Sequence, residues 1–126
     1  MSGEKVLIVD DNRQNLKLAR ILLVAEGYDV ATANDAEEAL RVLDTFEPRL
    51  ILMDLQLPGM DGLELTRRLK ADDTRRAIIV IALTAYAMKG DRERAIAAGC
   101  DDYIVKPIDT EEMPRTVAAH LARRTQ

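Results

Sequence analysis

Five apolar runs of strand length, each followed by a longer amphipathic stretch, constrain this chain more than any other feature. Two of them, residues 50–53 and 78–83, are apolar without alternation. Strands of that kind are covered on both faces, as in a parallel sheet with helices packed on either side. The other strands are expected at 5–9, 28–33 and 102–105. A helix is expected at 13–26, where Leu16, Ala19, Leu22 and Leu23 fall at helical spacing. A second should run through about residue 46, with Ala36, Ala39, Leu40 and Leu43 on its inward face. Asn12 or Asp11 can cap the first helix, and Asn34 or Asp35 the second. A turn at 58–62 leads into a third helix at 63–70, and a fourth is expected at 89–98. Pro114 suits only a first turn, so the last helix should begin near Thr110 or slightly later and run to about 123. Five βα units in succession predict an α/β fold, a parallel sheet with helices on both faces. The 126 residues have the length of one compact domain, with no linker, repeat or low-complexity stretch.

Hydrophobic residues at 48% and charged residues at 32% fit a globular chain and argue against disorder. The net charge is a modest -4. The nearest thing to a basic cluster, Arg67, Arg68 and Lys70 with Arg75 and Arg76 nearby, is interrupted by Asp72 and Asp73. A solvated surface accounts for it, so no direct nucleic-acid partner is expected. Cys100 is the single cysteine, which excludes an internal disulfide and makes a reducing compartment the default. Between Gly99 and Asp101, with no histidine nearby, it reads as a small structural thiol. No apolar stretch approaches ~18 residues, and the first residues lack the apolar segment of a secretory signal. No membrane partner is therefore expected, and the cytoplasm is the expected address.

In open α/β sheets, ligands bind at the carboxyl edge of the strands. Asp10 and Asp11 follow the first apolar run, Asp54 the third, Thr84 the fourth and Lys106 the fifth. One aspartate in such a loop would mean no more than a helix cap. Three carboxylates drawn together in a partly buried site repel one another, so either their pKa values rise or a cation holds them. Mg²⁺ suits oxygen ligands of this kind. Asp54 is the candidate nucleophile, since a carboxylate oxygen can attack phosphorus and form an acyl phosphate. A metal and a lysine would offset the charge of the incoming phosphoryl group. Lys106 is placed for the second task, although a Lys-Pro pair at a strand end is by itself more often surface decoration. Thr84 can donate its hydroxyl to a phosphoryl oxygen, or it can be a strand-end threonine chosen for β propensity. Tyr103 reads either as core with a hydrated hydroxyl or as a ring that swaps between outward and inward rotamers.

These residues resemble the receiver domain of two-component response regulators. The resemblance rests on residues 6–12 (VLIVDDN), 52–62 (LMDLQLPGMDG), 83–85 (LTA) and 102–107 (DYIVKP), in that order, and covers essentially the whole chain, 1–126. Residues 84–91 (TAYAMKGD) also resemble DivK-type single-domain regulators and the receivers of hybrid kinases. The resemblance implies a flavodoxin-like (βα)5 fold with strand order 2-1-3-4-5. It implies that Asp54 accepts a phosphoryl group from a phosphohistidine on a sensor histidine kinase or histidine phosphotransfer protein. Asp11, Asp54 and the backbone carbonyl of Gln56 would ligate Mg²⁺, with Asp10 acting through a water. Thr84 and Lys106 would contact the phosphoryl group, and Thr84 with Tyr103 would form the switch. Gln56 and Tyr86, two residues beyond Asp54 and Thr84, would tune dephosphorylation. A cis peptide before Pro107 would point Lys106 into the pocket. The implied protein is a phosphoacceptor switch rather than a turnover enzyme, with at most slow autophosphorylation and autodephosphorylation. It would control a downstream protein target through the fourth helix, fifth strand and fifth helix, and a homodimer formed on phosphorylation also belongs to the implied partners.

Other readings compete. A receiver cut from a larger hybrid kinase or regulator would have the same sequence pattern. A haloacid-dehalogenase-like phosphatase also uses an aspartate nucleophile, Mg²⁺, a threonine and a lysine, but it needs a second aspartate where Gln56 stands. A flavodoxin-like electron carrier would need a hydroxyl-rich loop in place of Asp10, Asp11 and Asn12. A phosphotransfer protein would use His120, the only histidine, which reads instead as a surface residue.

Overall fold

A computed structural model describes residues 3–57, 59–85 and 90–124. Strands and helices alternate as β1 (Lys5–Val9), α1 (Arg13–Ala25), β2 (Asp29–Ala33), α2 (Ala36–Leu43), β3 (Leu50–Asp54), α3 (Gly62–Ala71), β4 (Ile79–Thr84), α4 (Asp91–Ala98), β5 (Asp102–Val105) and α5 (Glu112–Arg124). The strands form one parallel sheet in the order β2-β1-β3-β4-β5, the expected flavodoxin-like arrangement. The chain leaves β1 toward β2 on one side and continues through β3 on the other. Loops diverging in this way open a crevice at the carboxyl ends of β1 and β3.

The apolar runs of β3 and β4 lack alternation because both of their faces are covered. Leu7, Val9, Ile51, Met53, Val80 and Ala82 point to one side, against Ala36, Ala39 and Leu43 of α2, Leu65 and Leu69 of α3, and Ala95 of α4. Val6, Ile8, Leu50, Leu52, Ile79, Ile81 and Ile104 point to the other, against Ala19 and Leu23 of α1 and Met113, Val117 and Leu121 of α5. The successive residues of a strand thus feed two cores, and every residue of β3 and β4 is buried.

The helix starts follow the capping logic. Asn12 accepts from the Asn15 N–H at 3.1 Å, and Asp35 from the Glu38 N–H at 2.8 Å. Asp61 accepts from the Glu64 N–H at 2.8 Å and starts α3. Gly27 and Gly99 supply the positive φ that ends α1 and α4. Some boundaries shift from expectation by a residue or more. α2 stops at Leu43, not near 46; Thr45 and Phe46 still bond back to Val42, and Phe46 packs on the core from a turn. Asp54 is the last residue of β3 rather than the first beyond it, because its pairing with Leu83 continues the ladder. α5 begins at Glu112, slightly later than Thr110 as expected, after Asp109 has accepted the N–H groups of Glu111 and Glu112, which puts Pro114 in the first turn. Among the described residues no helix is long and apolar enough to cross a membrane.

The basic cluster is not uniformly solvated. Arg67 and Arg68 are exposed and pair with Glu64. Lys70 is half-buried instead: its ammonium donates to the carbonyls of Arg76 and Ile78 and pairs with Asp101 at 3.2 Å. Its stem lies against Gly99, where a Cβ would approach Lys70 Cγ to 2.6 Å. Cys100 is buried beside Thr66, as a structural thiol should be, and burial pushes its thiol pKa up.

Candidate functional site: an acidic cluster at the sheet edge

Register brings the singled-out residues to one edge. Val9 pairs with Met53, so Asp10 and Asp54 come next on adjacent strands. Asp54 pairs with Leu83, and Thr84 follows; Thr84 pairs with Val105, and Lys106 follows. Carboxylate oxygens of Asp10, Asp11 and Asp54 all lie within 4.8 Å of one another. Asp10 and Asp54 are buried, whereas Asp11 is exposed at the mouth. The Lys106 ammonium stands 3.1 Å from Asp10 Oδ2 and 3.3 Å from Asp54 Oδ2. The Lys106–Pro107 peptide is cis, as expected.

Backbone groups fix the inner oxygens. The Asn12 N–H donates to Asp10 Oδ1 at 2.9 Å, and the Gln56 N–H donates to Asp54 Oδ1 at 3.0 Å. The outer oxygens face each other. Asp10 Oδ2 has Lys106 close by but no hydrogen bond of proper geometry among the described residues. Burial, and then the Asp10 charge, push Asp54 from 3.8 up to about 6, against the opposing pulls of the Gln56 N–H and Lys106. Among the described residues one ammonium, that of Lys106, faces the three carboxylates, which leaves the cluster short of positive charge. An all-oxygen donor set with an unsatisfied buried oxygen fits a hard divalent cation.

Sequence reasoning missed the role of Gly62. A Cβ there would sit 2.2 Å from the Asp54 carbonyl oxygen and 2.9 Å from Leu55 Cα. Only glycine lets the start of α3 pack directly on the end of β3, beneath Asp54. The glycine was visible in the sequence, but the backbone it meets was not.

Thr84 is buried at the end of β4, and its carbonyl accepts the Lys106 N–H at 2.7 Å. Tyr103 is half-buried against the core that α2, α3 and α4 cover, with the Arg92 guanidinium 5.6 Å from its ring centroid. Gln56 is exposed, and Tyr86 lies outside the described residues. His120 departs from the surface reading: its side chain is only 15% exposed, and its Nε2 meets Asp102 Oδ2 at 2.8 Å. It is a tie between α5 and the first residue of β5, at the opposite edge of the sheet from Asp54.

The response regulator receiver domain family matches residues 6–118. The chain belongs to that family. Among the relatives of this receiver domain, the polar-differentiation response regulator DivK of Brucella anthropi is 48% identical over 118 residues, covering 94% of this chain and 96% of that protein. DivK of Brucella ovis is 47% identical over the same shares. A crystal structure of a putative response regulator from Chloroflexus aurantiacus superimposes with a TM-score of 0.91 at 30% identity, covering 96% of this chain and 99% of that one. The receiver domain of a sensor histidine kinase from Pseudomonas aeruginosa, solved with magnesium coordinated in its active-site cleft, superimposes with a TM-score of 0.82 at 37% identity, covering 91% of this chain and 94% of that one. Receiver domains serve two-component signalling, and the acidic edge described above is where the sequence pattern of this receiver put its chemistry.

Proposed function

We propose that residues 1–126 act as one receiver domain whose Asp54 takes a phosphoryl group from a phosphohistidine on a histidine kinase or histidine phosphotransfer protein. The observation that carries this reading is the meeting of Asp54 with Asp10, Asp11 and Lys106 at one sheet edge. An Asp54 carboxylate oxygen attacks phosphorus; the P–N bond breaks, its electron pair passes to the imidazole nitrogen, and an acyl phosphate forms. A carboxyl raised to about 6 is still mostly ionised near neutral pH, and its shortage of hydration leaves it reactive. Lys106 neutralises charge on the incoming group from 3.3 Å away. The cation is Mg²⁺: Asp11, Asp54 and the Gln56 carbonyl would hold it, with Asp10 through water, and when bound it offsets repulsion between carboxylates and phosphoryl oxygens.

The new group adds about -1.5 to -2 charges and strong acceptor oxygens. Thr84, at the end of the neighbouring strand, donates its hydroxyl to one of them, and the Tyr103 ring moves into the space behind Thr84. The surface of α4, β5 and α5 changes with them and is read by a protein partner, in the cytoplasm. Gln56 and Tyr86 set how fast the acyl phosphate hydrolyses. Acetyl phosphate with Mg²⁺ should add one phosphoryl group to the wild type by intact mass, none to Asp54→Asn, and little to the wild type without Mg²⁺. An unmodified wild type contradicts the reading, and steady turnover of phosphomonoesters would replace it with a phosphatase.

A further inference from the structure

Arg92, in the first turn of α4, carries its guanidinium 5.6 Å from the centroid of the Tyr103 ring, within the range of a cation–π contact. Tyr103 lies on a strand whose backbone is pinned from several directions. The Asp101 N–H donates to the Val80 carbonyl at 2.7 Å, and Asp101 Oδ2 accepts the Val80 N–H at 2.8 Å. Lys70 of α3 pairs with the same carboxylate at 3.2 Å. Asp102 Oδ1 accepts the Tyr103 N–H, and its Oδ2 meets His120 of α5. With the backbone held, rotation of the side chain is the motion left to Tyr103. Glu93, one of the two carboxylates flanking Arg92 in sequence, is engaged at 3.0 Å by the Gly90 N–H at the helix start.

We infer that Arg92 is a positioning residue that holds the Tyr103 ring against α4 in the unphosphorylated protein and so opposes switching. This rests on the reading of Tyr103 as the aromatic of the phosphorylation switch. A contact shifts a two-state equilibrium only if it differs between the states. In that reading the ring leaves Arg92 when it moves behind Thr84, so the contact belongs to the unphosphorylated state alone. Arg92 is exposed, which sets the effect of its loss at about two- to fivefold in the switching equilibrium.

The test has two arms, Tyr103 ring resonances without any phosphate mimic and the affinity for beryllofluoride in saturating Mg²⁺. Arg92→Gln should move the ring resonances, and Arg92→Lys, which keeps the cation, should largely restore them. Arg92→Gln should also tighten beryllofluoride binding by about two- to fivefold, and the gain should vanish in a Tyr103→Leu background. Ring resonances indifferent to Arg92→Gln, unchanged or weaker binding, or a gain that survives without the Tyr103 ring would each overturn the inference. If the wild type bound no beryllofluoride, the phosphoacceptor reading would fail, while the ring resonances would still decide whether Arg92 positions Tyr103.

Discussion

Replacing Asp54 by asparagine should stabilise the metal-free protein at neutral pH. The substitution keeps the shape of the side chain and the acceptor for the Gln56 N–H, and it removes a charge that is buried beside Asp10. In the folded chain the Asp54 carboxyl titrates at about 6 rather than 3.8. The folded state therefore binds this proton more tightly than the unfolded chain does, and wild-type stability falls as pH rises between those two values. Above the upper one the full penalty applies, of order 2–3 kcal/mol by the free-energy equivalent of the shift. Against a typical total of about 5–15 kcal/mol that is a large fraction. Asparagine never ionises, so Asp54→Asn should exceed the wild type by that amount near pH 7, or roughly 10 °C in Tm for a domain of this size. The gap should close as the pH approaches 4. Urea unfolding in EDTA across that range measures it, with equal m-values required. Mg²⁺ should narrow the gap at neutral pH, because a cation favours the ionised carboxylate. Equal stabilities at pH 7, or a gap that does not shrink on acidification, would refute the electrostatic account of the cluster.

Lys106→Met should raise the pH at which Asp54 titrates, since the ammonium 3.3 Å away pulls it down; carbon-13 NMR of the Asp54 carboxyl reads the shift. Gly62→Ala must push the start of α3 away from the Asp54 carbonyl and should cost about 1–3 kcal/mol in urea unfolding, with slower phosphorylation by acetyl phosphate. His120→Gln should leave acetyl phosphate labelling intact while lowering stability by about 1 kcal/mol through loss of the tie to Asp102.

The sheet was legible because β3 and β4 are buried on both faces, and a run such as Leu50 to Met53 has few other ways to satisfy that condition. The acidic edge was legible for the same reason: once the runs are parallel strands, Asp10, Asp54, Thr84 and Lys106 fall at matching ends. Boundaries set by local competition were less so. Phe46 keeps helical spacing, but it reaches the core from a turn rather than from α2. Contacts between residues distant in the chain left no periodic signal. Lys70 finds Asp101, His120 finds Asp102 and Arg92 finds Tyr103 only because separate helices converge on the start of β5. Each of these side chains, read alone, has the character of solvated surface.

The central claim is that Asp54 itself carries the phosphoryl group. Transfer from a phosphohistidine donor in Mg²⁺, followed by borohydride reduction and peptide mapping, tests it directly, because reduction of an aspartyl phosphate leaves homoserine at the modified position. Homoserine in place of Asp54 and nowhere else is the predicted result. Homoserine at Asp10 or Asp11, or a stable label on His120 with Asp54 untouched, would contradict it.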